Sequence, residues 1–278
     1  MVSSNNGGET MVKAIVLGVC GRMGTRIAHW VVSTEGIDLV AAVEGVGHPA
    51  IGKDVGEFFG SGKTGIIIEN DLEKVIDKGD VIIDFTHHEA TVAHMGLAAA
   101  KGKAMVIGTT GFSVTELQQI HKYGEKTPCV LAPNMSVGVN VMFKVLKDVA
   151  KILVDDYDVE IVESHHNQKK DAPSGTAMKM AQIIADALDR DLEKEAVYTR
   201  KGMIGARTKK EIGIQTIRGG DIVGEHDVMF VTSGERLEFI HRAHSRDNFA
   251  RGAVRAAMWI FGKKQGMYDM QDVLGLKK

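Results

Sequence analysis

Short apolar runs alternate with helical patterns along the first half of the chain. VKAIVLG (12–18), DLVAAVE (38–44), GIIIE (65–69), DVIIDFT (80–86), KAMVIGT (103–109) and PCVLAP (128–133) read as strands. VKAIVLG reads as a buried strand. Helical patterns at about 22–33, 71–78, 88–101 and 113–124 separate them, and this alternation predicts a parallel α/β sheet. The Gly-rich stretch 45–65 carries little secondary-structure signal.

The rhythm changes near residue 135. Val137, Val141, Val145, Val149 and Ile152 recur at helical spacing, so 136–153 is an amphipathic helix. YDVEIVES (157–164) alternates like a half-buried strand, and TAMKMAQIIADALDR (176–190) is helical. Residues 211–242 alternate around the turns GG (219–220) and SGE (233–235), which predicts antiparallel strands. RDNFARGAVRAAMWIFGKK (246–264) is a helix with an apolar face. The break predicts a nucleotide-binding α/β unit followed by a smaller α+β unit; the pattern does not say to which of them the last helix belongs.

Composition narrows the class. At 278 residues, 44% hydrophobic and 25% charged, the chain has the make-up of a globular protein. A net charge of −2 argues against an extended nucleic-acid footprint. Two cysteines, Cys20 and Cys129, are too few for a disulfide framework and fit a reducing compartment. No apolar run is long enough to span a bilayer. Residues 1–10, MVSSNNGGET, lack the basic and apolar regions of a signal peptide and are expected to form a flexible extension. A cytoplasmic location is expected.

Two constellations carry chemistry. GVCGRMG (18–24) joins the first strand to the first helix, where glycines let a pyrophosphate approach the backbone and the helix N-terminus supplies N–H donors. Its spacing is G-x-x-G-x-x-G, with Cys20 where a second glycine usually stands, and a tight turn would need glycine in any case. Glu44 ends the second strand, in the place of an acid that accepts from adenosine ribose hydroxyls, or of an ordinary strand-end carboxylate. No Arg follows it to meet a 2′-phosphate, although Arg22 lies in the turn; NADH is favoured and NADPH possible. GTTG (108–111) and APNMS (132–136) end further strands, either as turns or as the nicotinamide side of the site.

The second constellation is ESHHNQKKDAPSGTA (163–177). Adjacent histidines on an extended segment point to opposite sides, so His165 and His166 are poor co-ligands and no metal is expected. Lys169 and Lys170 could be surface charges and Asp171 a turn former. However, Asp171-Ala172-Pro173 aims the chain into Ser174-Gly175-Thr176, which opens a helix and forms an anion pocket. A histidine exchanges protons near neutral pH, and a lysine stabilises a carboxylate or delivers a proton. A dinucleotide site with such a pocket implies hydride transfer to a small carboxylated substrate.

With these residues in view, the chain resembles the dihydrodipicolinate reductases, also called 4-hydroxy-tetrahydrodipicolinate reductases, of lysine biosynthesis. The likeness runs from about Val12 to Leu276 and rests on GVCGRMG, DFTHHEAT (84–91), VIGTTGF (106–112), APNMSVGVN (132–140), ESHHNQKKDAPSGTA, RGGDIVGEH (218–226) and HRAHSRDNFARGA (241–253). The resemblance implies that Gly18, Val19, Cys20, Gly21, Arg22 and Met23 hold the pyrophosphate and Glu44 the ribose. Gly108, Thr109, Thr110, Ala132, Pro133, Asn134 and Met135 would line the nicotinamide side. His165 matches the family's proton donor/acceptor and Lys169 its proton donor; His166, Gly175 and Thr176 match its substrate-carboxylate binders. Gly45 stands where relatives often carry Arg, and His87-His88 where Arg-Pro or Ser is frequent.

The implied fold class is α/β: a Rossmann-like parallel-sheet domain, 11–135, completed by 243–278, plus a smaller α+β domain, 136–242, with a mixed sheet. By the same resemblance, that second domain would bind the substrate, a small dicarboxylate, and mediate a homotetramer.

Overall fold

The computed structural model describes residues 11–60 and 62–277; the extension expected at 1–10 lies outside them. The chain forms two compact units: one runs to Met135 and resumes at Phe249, the other is Ser136–Asn248.

The first unit opens with β1 (Val12–Leu17), α1 (Gly24–Val32), β2 (Ile37–Val43), α2 (Val55–Phe59) and β3 (Ile68–Glu69). It continues through β4 (Val81–Asp84), α3 (His88–Lys101), β5 (Ala104–Ile107), α4 (Val114–Gly124) and β6 (Pro128–Leu131). The second unit holds α5 (Val137–Leu153), β7 (Asp158–His165), α6 (Gly175–Ala187), α7 (Leu192–Glu195), β8 (Ala196–Val197), β9 (Ile212–Arg218), β10 (Gly224–Thr232) and β11 (Glu235–Ala243). Then α8 (Asp247–Ile260) leads back to the first unit, which ends with β12 (Gly266–Tyr268) and α9 (Met270–Val273).

The first sheet has the order β12-β6-β5-β4-β1-β2-β3, and its paired strands are all parallel. Its continuous apolar runs are sorted by the pleat. Ala14, Val16, Val81 and Ile83 join one core layer, Ile15, Leu17 and Ile82 the other. Both faces are therefore buried, as parallel strands require.

Three local expectations change. The helix expected at 71–78 is a single 3₁₀ turn, Ile76–Lys78, and of the strand at 65–69 Ile68–Glu69 joins the sheet while Ile67 makes an isolated antiparallel bridge with Asp54. The stretch 45–65 contains α2, nucleated by buried Asp54, whose carboxylate accepts from the N–H groups of Gly56, Glu57, Thr64 and Gly65. Five helical residues are too few to show a period. The C-terminal segment adds β12 to the edge of β6, again too short to register as a pattern.

The second sheet is mixed, in the order β11-β10-β7-β9-β8. β7/β10 and β10/β11 are antiparallel, but β9 runs parallel to β7. The antiparallel expectation fails for β9 because α6 lies between the two strands in the chain, and a crossover helix returns the chain in the same direction. Val159, Ile161, Ile212, Ile214, Val228 and Phe230 share a core with residues of α5 and α6.

Candidate active site

In the first unit, β1 lies between β4 and β2, so strand order reverses there and the loops leaving β1 and β4 open onto one crevice. Gly18 has a left-handed φ of +64°, and a Cβ on it would lie 2.9 Å from Thr86 Cγ2. A Cβ on Gly24 would lie 1.9 Å from the Gly18 carbonyl oxygen, and one on Gly21 3.1 Å from it. The turn is thus as tight as backbone contact allows. The N-terminus of α1 has no side-chain cap and no acid in its first turn, which leaves its dipole open to an anion.

Glu44 is fixed beside this turn. Its carboxylate accepts from Cys20 N and Gly45 N, each at 2.8 Å. Burial, with Glu44 alongside, pushes the Cys20 thiol up to about 11, so it stays neutral. These residues fit a dinucleotide: a glycine cradle, an uncapped helix end and an acid at the end of β2. A Cβ on Gly45 would meet nothing within 4 Å, so the position is open.

At the end of β4, fully buried Asp84 accepts from Thr86 N (2.9 Å) and Thr86 Oγ1 (2.6 Å), and meets His94 Nδ1 at 2.8 Å. Thr91 Oγ1 bridges Thr86 and Thr109. Thr109 is therefore locked to the loop after β4, while Thr110 is exposed; a Cβ on Gly108 would strike the Phe85 ring at 2.1 Å. Ala132 and Met135 are buried, Pro133 is exposed and Asn134 half-buried. His88 meets Glu116 at 2.6 Å, and Glu116 also completes the capping box of α4 with Ser113. The bond to His88 leads the causes that hold Glu116 down at about 2, so His88 joins the starts of α3 and α4.

In the second unit, strand register builds a polar end on an apolar sheet face. His241, His226, Glu163 and Thr216 form one row across β11, β10, β7 and β9; on the same face Ala243 pairs with Gly224 and His165 with Arg218. Glu163 is wholly buried and accepts from five donors. They are His165 Nδ1 (2.6 Å), Ser174 N (2.9 Å), Arg218 Nη1 and Nη2 (2.8 Å each) and Thr216 Oγ1 (3.3 Å). Burial would raise its carboxyl, but the bonds from His165, Arg218 and Ser174 outweigh that and hold it at about 2.

The loop after β7 is pinned to the turn before β10. Gly219 N donates to His165 O and Asn167 N to Gly220 O. Lys169 N donates to His166 O, folding Lys169 back over the histidines, and its ammonium donates to Asp171 at 2.8 Å. The Ala172–Pro173 bond is cis, and Ser174 caps α6 by accepting from Ala177 N. Ser174 Oγ also meets His226 Nε2 at 3.1 Å. Burial, reinforced by His165 and His241, pushes His226 down to about 3, so this imidazole is neutral. A Cβ on Gly175 would meet nothing within 4 Å, so the end of α6 is sterically open, with Lys169 and Arg218 supplying positive charge nearby. Among the described residues, no group of three or more His, Cys, Asp or Glu could hold a metal ion.

Residues 12–135 match the family model described as "Dihydrodipicolinate reductase, N-terminus", and residues 138–274 match its C-terminal counterpart. The chain is 62% identical over 267 residues to a 4-hydroxy-tetrahydrodipicolinate reductase of Syntrophus aciditrophicus, covering 96% of this chain and 100% of the relative. The chain belongs to the dihydrodipicolinate reductase family. A reductase of the same name from Syntrophobacter fumaroxidans is 54% identical over the same share of both chains. A dipicolinate-bound dihydrodipicolinate reductase from Paenisporosarcina sp. TG-14 superposes with a TM-score of 0.73 at 30% identity, covering 94% of this chain and 98% of that one. Amine dehydrogenase from Mycobacterium smegmatis shares the fold alone, with a TM-score of 0.59 at 13% identity and coverage of 92% and 94%.

As a member of this family, the chain is an oxidoreductase of the lysine and diaminopimelate pathway that uses NAD(P)H. Among its described residues no helix is long and apolar enough to cross a membrane. Glu163, Arg218, His226 and His241 are not singled out as site residues by the sequence, which assigns Ser174 only to the anion pocket at the start of α6. A signal for Glu163 existed: in YDVEIVES it falls on the same face as Val159 and Ile161, and a carboxyl on a core face must have partners.

Proposed function

We propose that the first unit binds the reduced dinucleotide and that the second unit binds a small cyclic dicarboxylate and handles the proton. Gly18 to Met23 cradle the pyrophosphate at the end of α1, and Glu44 accepts from the adenosine ribose. Gly108 to Thr110 and Ala132 to Met135 line the nicotinamide side. NADH is preferred to NADPH, because the open position after Glu44 is Gly45 rather than a cation. When bound, the reduced nicotinamide supplies a hydride to a substrate carbon conjugated with a ring imine.

The chain's own groups do the rest. His166, Gly175 and Thr176 hold substrate carboxylates at the N-terminus of α6, where backbone N–H groups and the helix dipole favour an anion. Lys169 offsets substrate charge, and a charge-assisted bond of this kind is shorter and stronger than a neutral one. Lys169 or His165 then delivers the proton that ends up on the reduced product. The observation that carries this reading is the junction of His165 and the open, capped end of α6 around one buried carboxylate, with Lys169 tied to it through Asp171 and Arg218.

The dipicolinate named with the Paenisporosarcina relative is a planar dicarboxylate and agrees with this substrate class. A homotetramer formed through the second sheet, in the cytoplasm, completes the reading. The sheet face away from α5 and α6 carries Val162, Met229, Ile217 and exposed Ile240, with Gln215 Nε2 and Asp227 Oδ1 buried there without a partner among the described residues.

The test is steady-state turnover followed by nicotinamide absorbance with freshly prepared dihydrodipicolinate precursor. His165→Ala and Lys169→Ala each lower turnover at least about tenfold, equal to about 1.4 kcal/mol of barrier, while NADH still binds. Wild-type turnover in both variants removes these residues from the catalytic assignment.

A further inference from the structure

Glu163 is wholly buried and accepts from five donors, and no role in the reaction has yet been given to it. Its five donors come from separate pieces of the fold: His165 on its own strand, Thr216 and Arg218 on β9, and Ser174 at the start of α6. Arg218 extends the connection, since Nη2 also donates to Asp171 O, in the turn that leads into α6. One buried carboxylate therefore joins the imidazole, the helix end that receives an anion, and the turn between them.

An ionised carboxylate only accepts hydrogen bonds. The 2.6 Å contact with His165 Nδ1 thus requires the proton of that bond to sit on the imidazole. With Nδ1 committed, Nε2 is the nitrogen left to exchange a proton. Gly224 makes room for it: a Cβ there would lie 3.0 Å from His165 Nε2. Among the described residues, Glu163 on β7 and His226 on β10 meet this imidazole, Arg218 on β9 grips the same carboxylate, and Lys169 pairs with Asp171 on the loop that follows.

We propose that Glu163, gripped by Arg218, is a positioning residue for the reaction: it fixes the His165 tautomer and holds that imidazole in register with the N-terminus of α6. The proposal rests on His165 exchanging the proton. Glu163 itself neither touches substrate nor gives up a proton. Because Arg218 occupies both its oxygens, the carboxylate stays ionised and acts as a fixed anchor. Ser174 receives the same anchor through its backbone N–H, so a displaced carboxylate would move the imidazole and the anion pocket together.

The experiment uses the full-length protein and the Glu163→Gln variant, which keeps the shape but removes the charge. Turnover, KM for NADH, the affinity for dipicolinate as a probe of the pocket, and the ¹⁵N signals of His165 are measured in both. In the wild-type protein, neutral His165 carries its proton on Nδ1. In the variant, kcat falls at least about tenfold, in line with general acid–base contributions of 10²–10⁴. The NADH KM stays unchanged, dipicolinate binds more weakly, and the Nδ1–H signature is lost.

His165→Ala serves as the reference. If it turns over like wild type, the proton-transfer reading falls and Glu163 loses its task. If it is inactive while Glu163→Gln keeps wild-type turnover and the same tautomer, only the positioning role is overturned. Should Glu163→Gln fail to fold, the ¹⁵N signals of the wild-type protein decide alone: a neutral His165 protonated on Nε2 refutes the proposal.

Discussion

His226 makes the stability of the second unit depend on pH between 5 and 7, and the size of the effect can be worked out. In an unfolded chain this imidazole titrates near 6.5, whereas burial in the folded protein pushes it down to about 3. Between those values the unfolded state binds the extra proton and the folded state refuses it. Stability therefore falls as pH drops through 6.5, and rises again on the way back. Only 4% of His226 is exposed, so solvent screening does little to reduce the effect. Integrating the difference from pH 7 to pH 5 gives a loss of about 2 kcal/mol from this one group.

Glu163 does not contribute in that window. It is ionised in both states above its ordinary range, and its own stabilisation disappears only as pH falls toward about 2. The perturbation is His226→Gln, whose amide can still reach Ser174 Oγ but cannot titrate. Urea unfolding of both proteins at pH 7 and pH 5 measures the difference. The wild type should lose about 2 kcal/mol more than the variant on acidification. A difference under about 0.5 kcal/mol, within the ordinary error of additivity, refutes the assignment of His226 as a buried neutral base.

Two further outcomes follow from the dinucleotide turn. Gly24→Ala forces a Cβ to within 1.9 Å of the Gly18 carbonyl, so the turn must open; NADH affinity measured by fluorescence should fall at least about tenfold, an overpacking effect of 1–3 kcal/mol, while dipicolinate binding to the second unit is retained. Gly45→Arg places a guanidinium in open space beside Glu44; the kcat/KM ratio for NADPH over NADH should rise about tenfold, as one added charge-assisted hydrogen bond to the 2′-phosphate would give, and an unchanged ratio would show that this position does not read the phosphate.

How much of this was readable from the sequence depends on the range of the interaction. Short apolar runs alternating with helical patterns identified the strands of a parallel sheet, and helical spacing identified α3, α4 and α5 with bounds close to those observed. Local strings were equally informative: 163–177 brings His165, Lys169 and the start of α6 together because a turn and a helix cap act over a few residues. The string did not reveal why that loop holds its shape. Glu163 and Arg218 are 55 residues apart, and Ser174 and His226 are 52 apart; only strand register brings each pair together.

The sequence by itself determined the layering, the glycine turn and the chemical inventory of the loop, since each follows from periodicity or from neighbours in the chain. Only tertiary structure decided that β9 runs parallel to β7, that β12 extends the first sheet, and that a row of His241, His226, Glu163 and Thr216 crosses four strands. A period of two assigns a side chain to a face of the sheet but not to a partner. The partner is chosen by which strands pair and in what register, and that depends on the burial of the whole core.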